Sequence, residues 1–166
     1  MFRAELICMR HAQSDNVILR RAGALPDAEL TDLGRHQAAQ AISYLRSSGA
    51  KRICASTARR ARQTAEIVAE LLAIPVSTVA GLEEVFIGDS EGATDDVTHQ
   101  RTAEALHSWI LGDLDDRVAD GETGHQVTER MTAALTAIAD EAAGSPVIVI
   151  GQIGRASCRE RVLASV

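Results

Sequence analysis

Residues 52–80 read "RICASTARRARQTAEIVAELLAIPVSTVA", and this stretch decides the architecture expected of the chain. Ile53, Cys54 and Ala55 make a short apolar run, read as a strand over 52–56. From 57 to 72 the apolar residues Ala61, Ala65, Val68, Ala69 and Leu72 recur at helical spacing. Pro75 cannot continue a helix and pushes the residue before it toward extended backbone. Residues 76–80 then read as a second strand.

The same alternation extends in both directions. Residues 5–9 form a strand that runs into Arg10-His11, and 12–30, aperiodic and holding Gly23 and Pro26, form a loop. Thr31 or Asp32 caps a helix over 31–48, with Ala38, Ala41, Ile42 and Leu45 on one face and Gly49 at its end. Residues 83–97, rich in glycine and acids, read as loop; 98–111 and 125–143 read as helices. After the turn Gly144-Ser145-Pro146, the run Val147-Ile148-Val149-Ile150 is that of a buried strand. The expectation is one α/β domain of three layers, a largely parallel sheet covered by helices. Residues 4–9, 52–56 and 146–151 should be neighbouring strands, and helices 31–48, 57–72 and 123–143 should cover them.

Composition narrows the function classes. Of 166 residues 46% are apolar but only 2% aromatic, so the core must be aliphatic, with close helix–sheet contacts. A net charge of −6 offers no basic face, so no nucleic-acid partner is expected. No apolar run approaches the ~18 residues of a membrane span, and a strand starting at residue 5 leaves no room for a signal peptide. Cys8, Cys54 and Cys158 are odd in number and lack metal or redox spacing, which fits a reducing cytoplasm. No metal or cofactor is called for, and nothing in the pattern sets an oligomeric state.

The polar residues gather on this frame. Arg10 and His11 end the first strand, Arg60 lies in the first turn of the helix after the second, and Glu84 follows the third. Ligands of α/β sheets bind outside the carboxyl ends of the strands. Two forked guanidiniums beside an imidazole suit a dianionic tetrahedral oxyanion, and a helix N-terminus adds to that potential. Each feature also has a plainer explanation: Arg10-His11 as a surface pair, and Arg59, Arg60 and Arg62 as a solvated helix face. Spacing and composition alone stop at a candidate anion site in an α/β domain.

Five motifs in order go further: "MRHAQS" (9–14), "LTDLGRHQA" (30–38), "ICASTARRARQTAEIVA" (53–69), "GLEEVFIGDSEG" (81–92) and "DGETGHQVTERM" (120–131). Together they resemble the histidine phosphatase superfamily, the phosphoglycerate mutase-like fold, over nearly all of residues 3–152. The resemblance implies that His11 takes up a phosphoryl group, that Arg10 and Arg60 bind phosphate, and that Glu84 is the general acid. Asn16 matches a phosphate-contacting asparagine but lies one residue nearer His11 than is usual. Ala12 replaces the family's glycine, and Ser90 stands where tryptophan is frequent. His36, His99, His107 and His125 read as surface or packing residues. The implied activity is hydrolysis of a small phosphorylated substrate through a phosphohistidine. The alternatives are a phosphoglycerate mutase, against which the short stretch between Gly92 and Gly121 speaks, and an inactive phosphate-binding or scaffold module.

The resemblance also implies a second histidine after the last strand, at position 152, where this chain has Gln152. The text beyond it, "IGRASCRERV" (153–162), resembles one translated frame of a common short-read sequencing adapter, ATC GGA AGA GCG TCG TGT AGG GAA AGA GTG. The expectation is therefore a phosphatase domain over 1–152, incomplete at its C-terminus, and a non-native tail over 153–166. The adapter begins with AG ahead of ATC, so a CAG codon at 152 would take only its C from the gene. Sequencing the source gene across codon 152 is expected to read a histidine codon followed by glycine; a genomic CAG continuing into "IGRASC" would refute the adapter origin.

Overall fold

The computed structural model describes residues 4–25 and 27–152; the expected non-native tail, 153–166, lies outside the described residues. Among the described residues four strands, β1 (Leu6–Arg10), β2 (Arg52–Ala55), β3 (Val76–Thr78) and β4 (Val147–Gly151), form one sheet in the order β1-β4-β2-β3. Every pairing is parallel. Ile148 of β4 lies opposite Ile7 on one side and Ile53 on the other. All of β4 is buried, as a run without polar side chains requires when both faces are covered.

Among the described residues six α-helices accompany the sheet: α1 (Asp15–Ile18), α2 (Asp32–Gln40), α3 (Ile42–Leu45), α4 (Arg59–Leu72), α5 (Asp96–Leu111) and α6 (Gly124–Glu141). Strand side chains alternate between two cores. Ile7, Ile53, Ala55, Ile148 and Ile150 pack against Leu45 and against Ala61, Ala65 and Val68 of α4. The opposite parity, Cys8, Cys54, Val147 and Val149, meets Leu82 and the α6 residues Ala134 and Ile138. The result is the expected three layers, helix, sheet, helix. Ile53, Ile148 and Ile150 are wholly buried, and each contributes on the order of 2 kcal/mol by leaving water. The alanines of α4 let that helix lie close to the sheet, which is how a core with almost no aromatics fills its volume. A third cluster, Ala22, Val85, Ile87, Ala105 and Val118 with Trp109, docks α5 against the segments that follow β1 and β3.

Several local expectations shift. The loop 12–30 holds the short helix α1, and a lone antiparallel bridge joins Ser14 to Leu30. The helix expected over 31–48 divides into α2, α3 and a 3-10 turn, Arg46–Ser48, before Gly49 closes it at φ 70°. Thr31 is the cap: its Oγ1 accepts the Gly34 N–H at 3.0 Å. α5 starts two residues early because Asp95 caps it, accepting from the Thr98 N–H at 2.8 Å. Among the described residues, no helix is long and apolar enough to cross a membrane.

Gly34 marks where α2 crosses the chain just beyond β1. A Cβ on Gly34 would strike the carbonyl oxygen of Gln13, which cannot yield without moving the backbone. Gly34→Ala is expected to destabilise the fold by about 1–3 kcal/mol, despite alanine's better helix propensity, as read from the urea midpoint. A neutral or stabilising result would contradict this close approach.

Candidate active site

The strands deliver their polar residues to one end of the sheet. Arg10 ends β1, and the His11 N–H continues the ladder by donating to the Gly151 carbonyl at 3.2 Å. Gln152 follows β4 directly, Arg60 lies in the first turn of α4 after β2, and Glu84 follows β3. Arg10, His11, Asn16, Arg60, Glu84 and Gln152 all line one cavity of about 280 Å³. A larger cavity, about 710 Å³, adjoins it between β1 and residues 37–45. Its lining includes Arg10 and His11 but no carboxylate and no second arginine, so the smaller cavity is the candidate site. Of the three arginines at the start of α4 only Arg60 enters it: Arg59 pairs with Glu29 at 2.7 Å, and Arg62 is exposed.

Hydrogen bonding sets the state of His11. Its Nδ1 lies 2.8 Å from the Ala12 carbonyl, which can only accept, so Nδ1 carries the proton. Its Nε2 accepts the Nε–H of Arg60 at 3.0 Å. The ring is buried, 7% exposed. Burial pushes its pKa down to about 4; the Ala12 carbonyl opposes the fall, the charges of Arg60 and then Arg10 deepen it, and the Gln152 side chain opposes it again. At neutral pH the ring is therefore uncharged, with its lone pair on Nε2. The alanine at 12 sits here without left-handed backbone. Its N–H donates to Thr64 Oγ1 at 3.1 Å, and that hydroxyl donates to the Arg60 carbonyl at 2.8 Å.

Arg60 is 2% exposed, and its partners are uncharged: the His11 ring, the Leu25 carbonyl at 2.7 Å and the Ala24 carbonyl at 2.8 Å. Burial lowers its pKa, and the nearest carboxylate influence, Glu84, opposes that. Three of five guanidinium N–H groups are engaged, which leaves two for a ligand. Glu84 is half-buried, accepts the Val85 N–H at 3.0 Å, and has its carboxyl pKa raised by burial, against Val85 and the charges of Arg10, Arg60 and Arg130. Arg10 is exposed and donates its Nε–H to Gln152 Oε1 at 3.1 Å. Asn16 accepts from Ser14 Oγ at 2.6 Å.

Sequence patterns missed two parts of this site. Arg20, Arg21, His99 and Thr102 also line the cavity. His99, read from the sequence as a surface or packing residue, lies at this cavity with its Nε2 2.8 Å from the Arg20 carbonyl. Nothing local announces this, because it depends on α5 docking beside Arg20, in the segment after α1. The second part is Arg130, which holds the segment carrying Glu84. It donates to the carbonyls of Gly81, Glu83 and Glu84 at 2.9–3.1 Å and to both carboxylate oxygens of Glu122. Glu122 also accepts the Phe86 N–H at 2.9 Å. Among the described residues no group of three or more His, Cys, Asp and Glu side chains is placed to hold a metal ion.

The family model described as "Histidine phosphatase superfamily (branch 1)" matches residues 6–154. A Klebsiella pneumoniae subsp. pneumoniae protein named "Probable phosphoglycerate mutase GpmB" is 30% identical over 146 residues, 88% of this chain and 68% of that one. A mycobacterial glucosyl-3-phosphoglycerate phosphatase, solved with VO3, is 29% identical, with a TM-score of 0.70 over 89% of this chain and 75% of that one. YhfR of Bacillus stearothermophilus is 29% identical, with a TM-score of 0.74 over 88% and 72%.

The neutral, buried His11 has a consequence for stability. Between 6.5, its ordinary value, and about 4 in the folded state, the unfolded chain binds the proton and the folded chain does not. Stability therefore falls as pH drops through that window, by roughly 3 kcal/mol in all. Glu84, its pKa raised, contributes in the opposite direction, since the folded state takes up its proton first. His11→Asn is expected to remove the His11 component and flatten the urea midpoint between pH 6.5 and 4.5. A slope unchanged by the substitution would refute the buried neutral ring.

Proposed function

The chain belongs to the histidine phosphatase superfamily, branch 1, and we propose that within it this protein hydrolyses small phosphomonoesters through a phosphohistidine on His11. The observation that carries this reading is a buried guanidinium whose partners are all uncharged, set against the lone pair of a neutral imidazole. Such a pair suits a dianion with an electrophilic centre.

The phosphoryl group enters between Arg10 and Arg60, whose free N–H groups take its equatorial oxygens, with Asn16 as a further contact. The ligand displaces the Arg60 Nε–H from His11. The Nε2 lone pair then attacks phosphorus in line; the P–N bond forms as the ester P–O bond breaks. Glu84, whose carboxyl pKa is raised by burial, is the acid that gives its proton to the departing alkoxide. The Nδ1–H bond to the Ala12 carbonyl holds the ring through the positive charge it acquires. In the second half Glu84 takes a proton from water, the water oxygen attacks phosphorus, and the P–N bond breaks to release orthophosphate. The substrate is a small cytoplasmic phosphate ester, and no metal or cofactor enters any step.

Gln152 stands at the remaining side of the phosphate. Its amide is neutral, whereas an imidazolium there would donate a charged hydrogen bond. The purified chain is expected to turn over p-nitrophenyl phosphate and to yield an acid-labile, base-stable phosphoenzyme. His11→Ala should abolish both, Arg60→Ala should lower the rate on the order of 10²-fold or more, and Gln152→His should raise it. Turnover that survives His11→Ala would sink the proposal. Isomerisation of 3-phosphoglycerate faster than release of orthophosphate would replace it with mutase chemistry.

A further inference from the structure

Glu91 has no part in the chemistry above, yet three backbone N–H groups converge on its carboxylate. Ala24 donates to Oε1 at 3.1 Å, Ile87 to Oε1 at 2.9 Å, and Leu25 to Oε2 at 3.3 Å. Residues 24 and 25 are also the two whose carbonyls accept from Arg60. The Ala24–Leu25 peptide unit therefore lies between an anion and a cation, with the Leu25 N–H toward Glu91 and the Ala24 C=O toward the guanidinium. The chain of contacts runs from carboxylate to turn to guanidinium to the Nε2 of His11.

The turn does not hold this shape unaided. Leu25 sits at φ 34°, a left-handed conformation that disfavours a side chain. Gly23 sits at φ 95°, and a Cβ there would strike the Glu91 carboxylate. Two further bonds pin the entrance: Ala22 N–H to the Ala93 carbonyl and Gly92 N–H to the Ala22 carbonyl, both at 2.9 Å. Without its anchor the turn would relax, and Arg60 would lose the two carbonyls that aim it.

We propose that Glu91 is a positioning residue, whose carboxylate holds the 23–25 turn in the shape that points the Arg60 guanidinium at His11. Only the kinetic part of the test rests on the hydrolase reading. In the full chain, Glu91→Ala and Gly23→Ala are each expected to lower kcat for p-nitrophenyl phosphate about tenfold or more, with KM changing less than about threefold. Glu91→Gln should recover most of the loss, because its Oε1 still accepts from Ala24 and Ile87. The double variant should lose less than the product of the two single losses, since both changes disturb the same turn.

A second measurement is independent of turnover. The imidazole nitrogens of His11, followed by NMR against pH, face the charges of Arg60 and Arg10 and the Gln152 amide, with the Glu84 carboxyl in the lining of the same cavity. Glu91→Ala should raise the His11 pKa by about half a unit or more as the Arg60 charge withdraws, while Glu91→Gln should leave it near the parent value. If Glu91→Ala, with its fold intact, leaves both kcat and the His11 titration unchanged, the proposal is overturned. Strictly additive losses would overturn it too. If the parent hydrolyses no phosphomonoester but Glu91→Ala still moves the His11 titration, the positioning role stands and the hydrolase reading fails.

Discussion

A guanidinium taken out of water must be given other dipoles to replace its hydration, and Arg60 receives them only from uncharged groups. Much of the local structure follows from that requirement. Residues 22–25 fold inward to present two carbonyls, Glu91 fixes their N–H side, and the His11 ring contributes its lone pair. The same positive charge helps keep His11 unprotonated, although desolvation is the larger influence. A carboxylate paired with Arg60 would stabilise the protein more simply, and it would also take up the two N–H groups that Arg60 keeps unengaged.

Arg130 gives the contrasting case. All five of its donors are taken, two by the Glu122 carboxylate and three by backbone carbonyls. It has nothing left to offer a ligand, and its effect is to hold the Glu84 segment in position. The two arginines show how one side chain serves opposite ends: Arg130 is saturated and paired with a carboxylate, while Arg60 keeps two N–H groups unengaged.

The parts of this molecule legible in the sequence are those with local physical signatures. The β-branched run at 147–150 could hardly be anything but a covered strand. The alanine spacing in 61–69 marked the buried face of α4, and Thr31 announced a helix start. Arg10, His11, Arg60 and Glu84 could be brought together because strand ends in a parallel sheet share an edge, and the structure does gather them around one cavity. What escaped had no periodicity to betray it. The helical turn at Asp15–Ile18 is too short to show a repeat. Glu91 and Arg130 act through peptide groups, and any residue supplies a peptide group, so their partners leave no mark in the composition. His99 reaches the cavity by docking between elements about eighty positions apart in the chain, a tertiary event.

The strand order has a kinetic side. β1 and β2 never pair with each other; both pair with β4, which follows β2 by most of the domain's length. During synthesis the first two strands therefore leave the ribosome with open edges, and nothing made until then can join them. The loop that must close is long, and its entropy is spent before the central hydrogen bonds form. His11 meets the Gly151 carbonyl, and Arg10 meets Gln152, only at that closure. The cavity lined by Arg10, His11 and Arg60 is thus among the final features to assemble, and a nascent chain stalled short of β4 would hold its arginines with no enclosure to put them in.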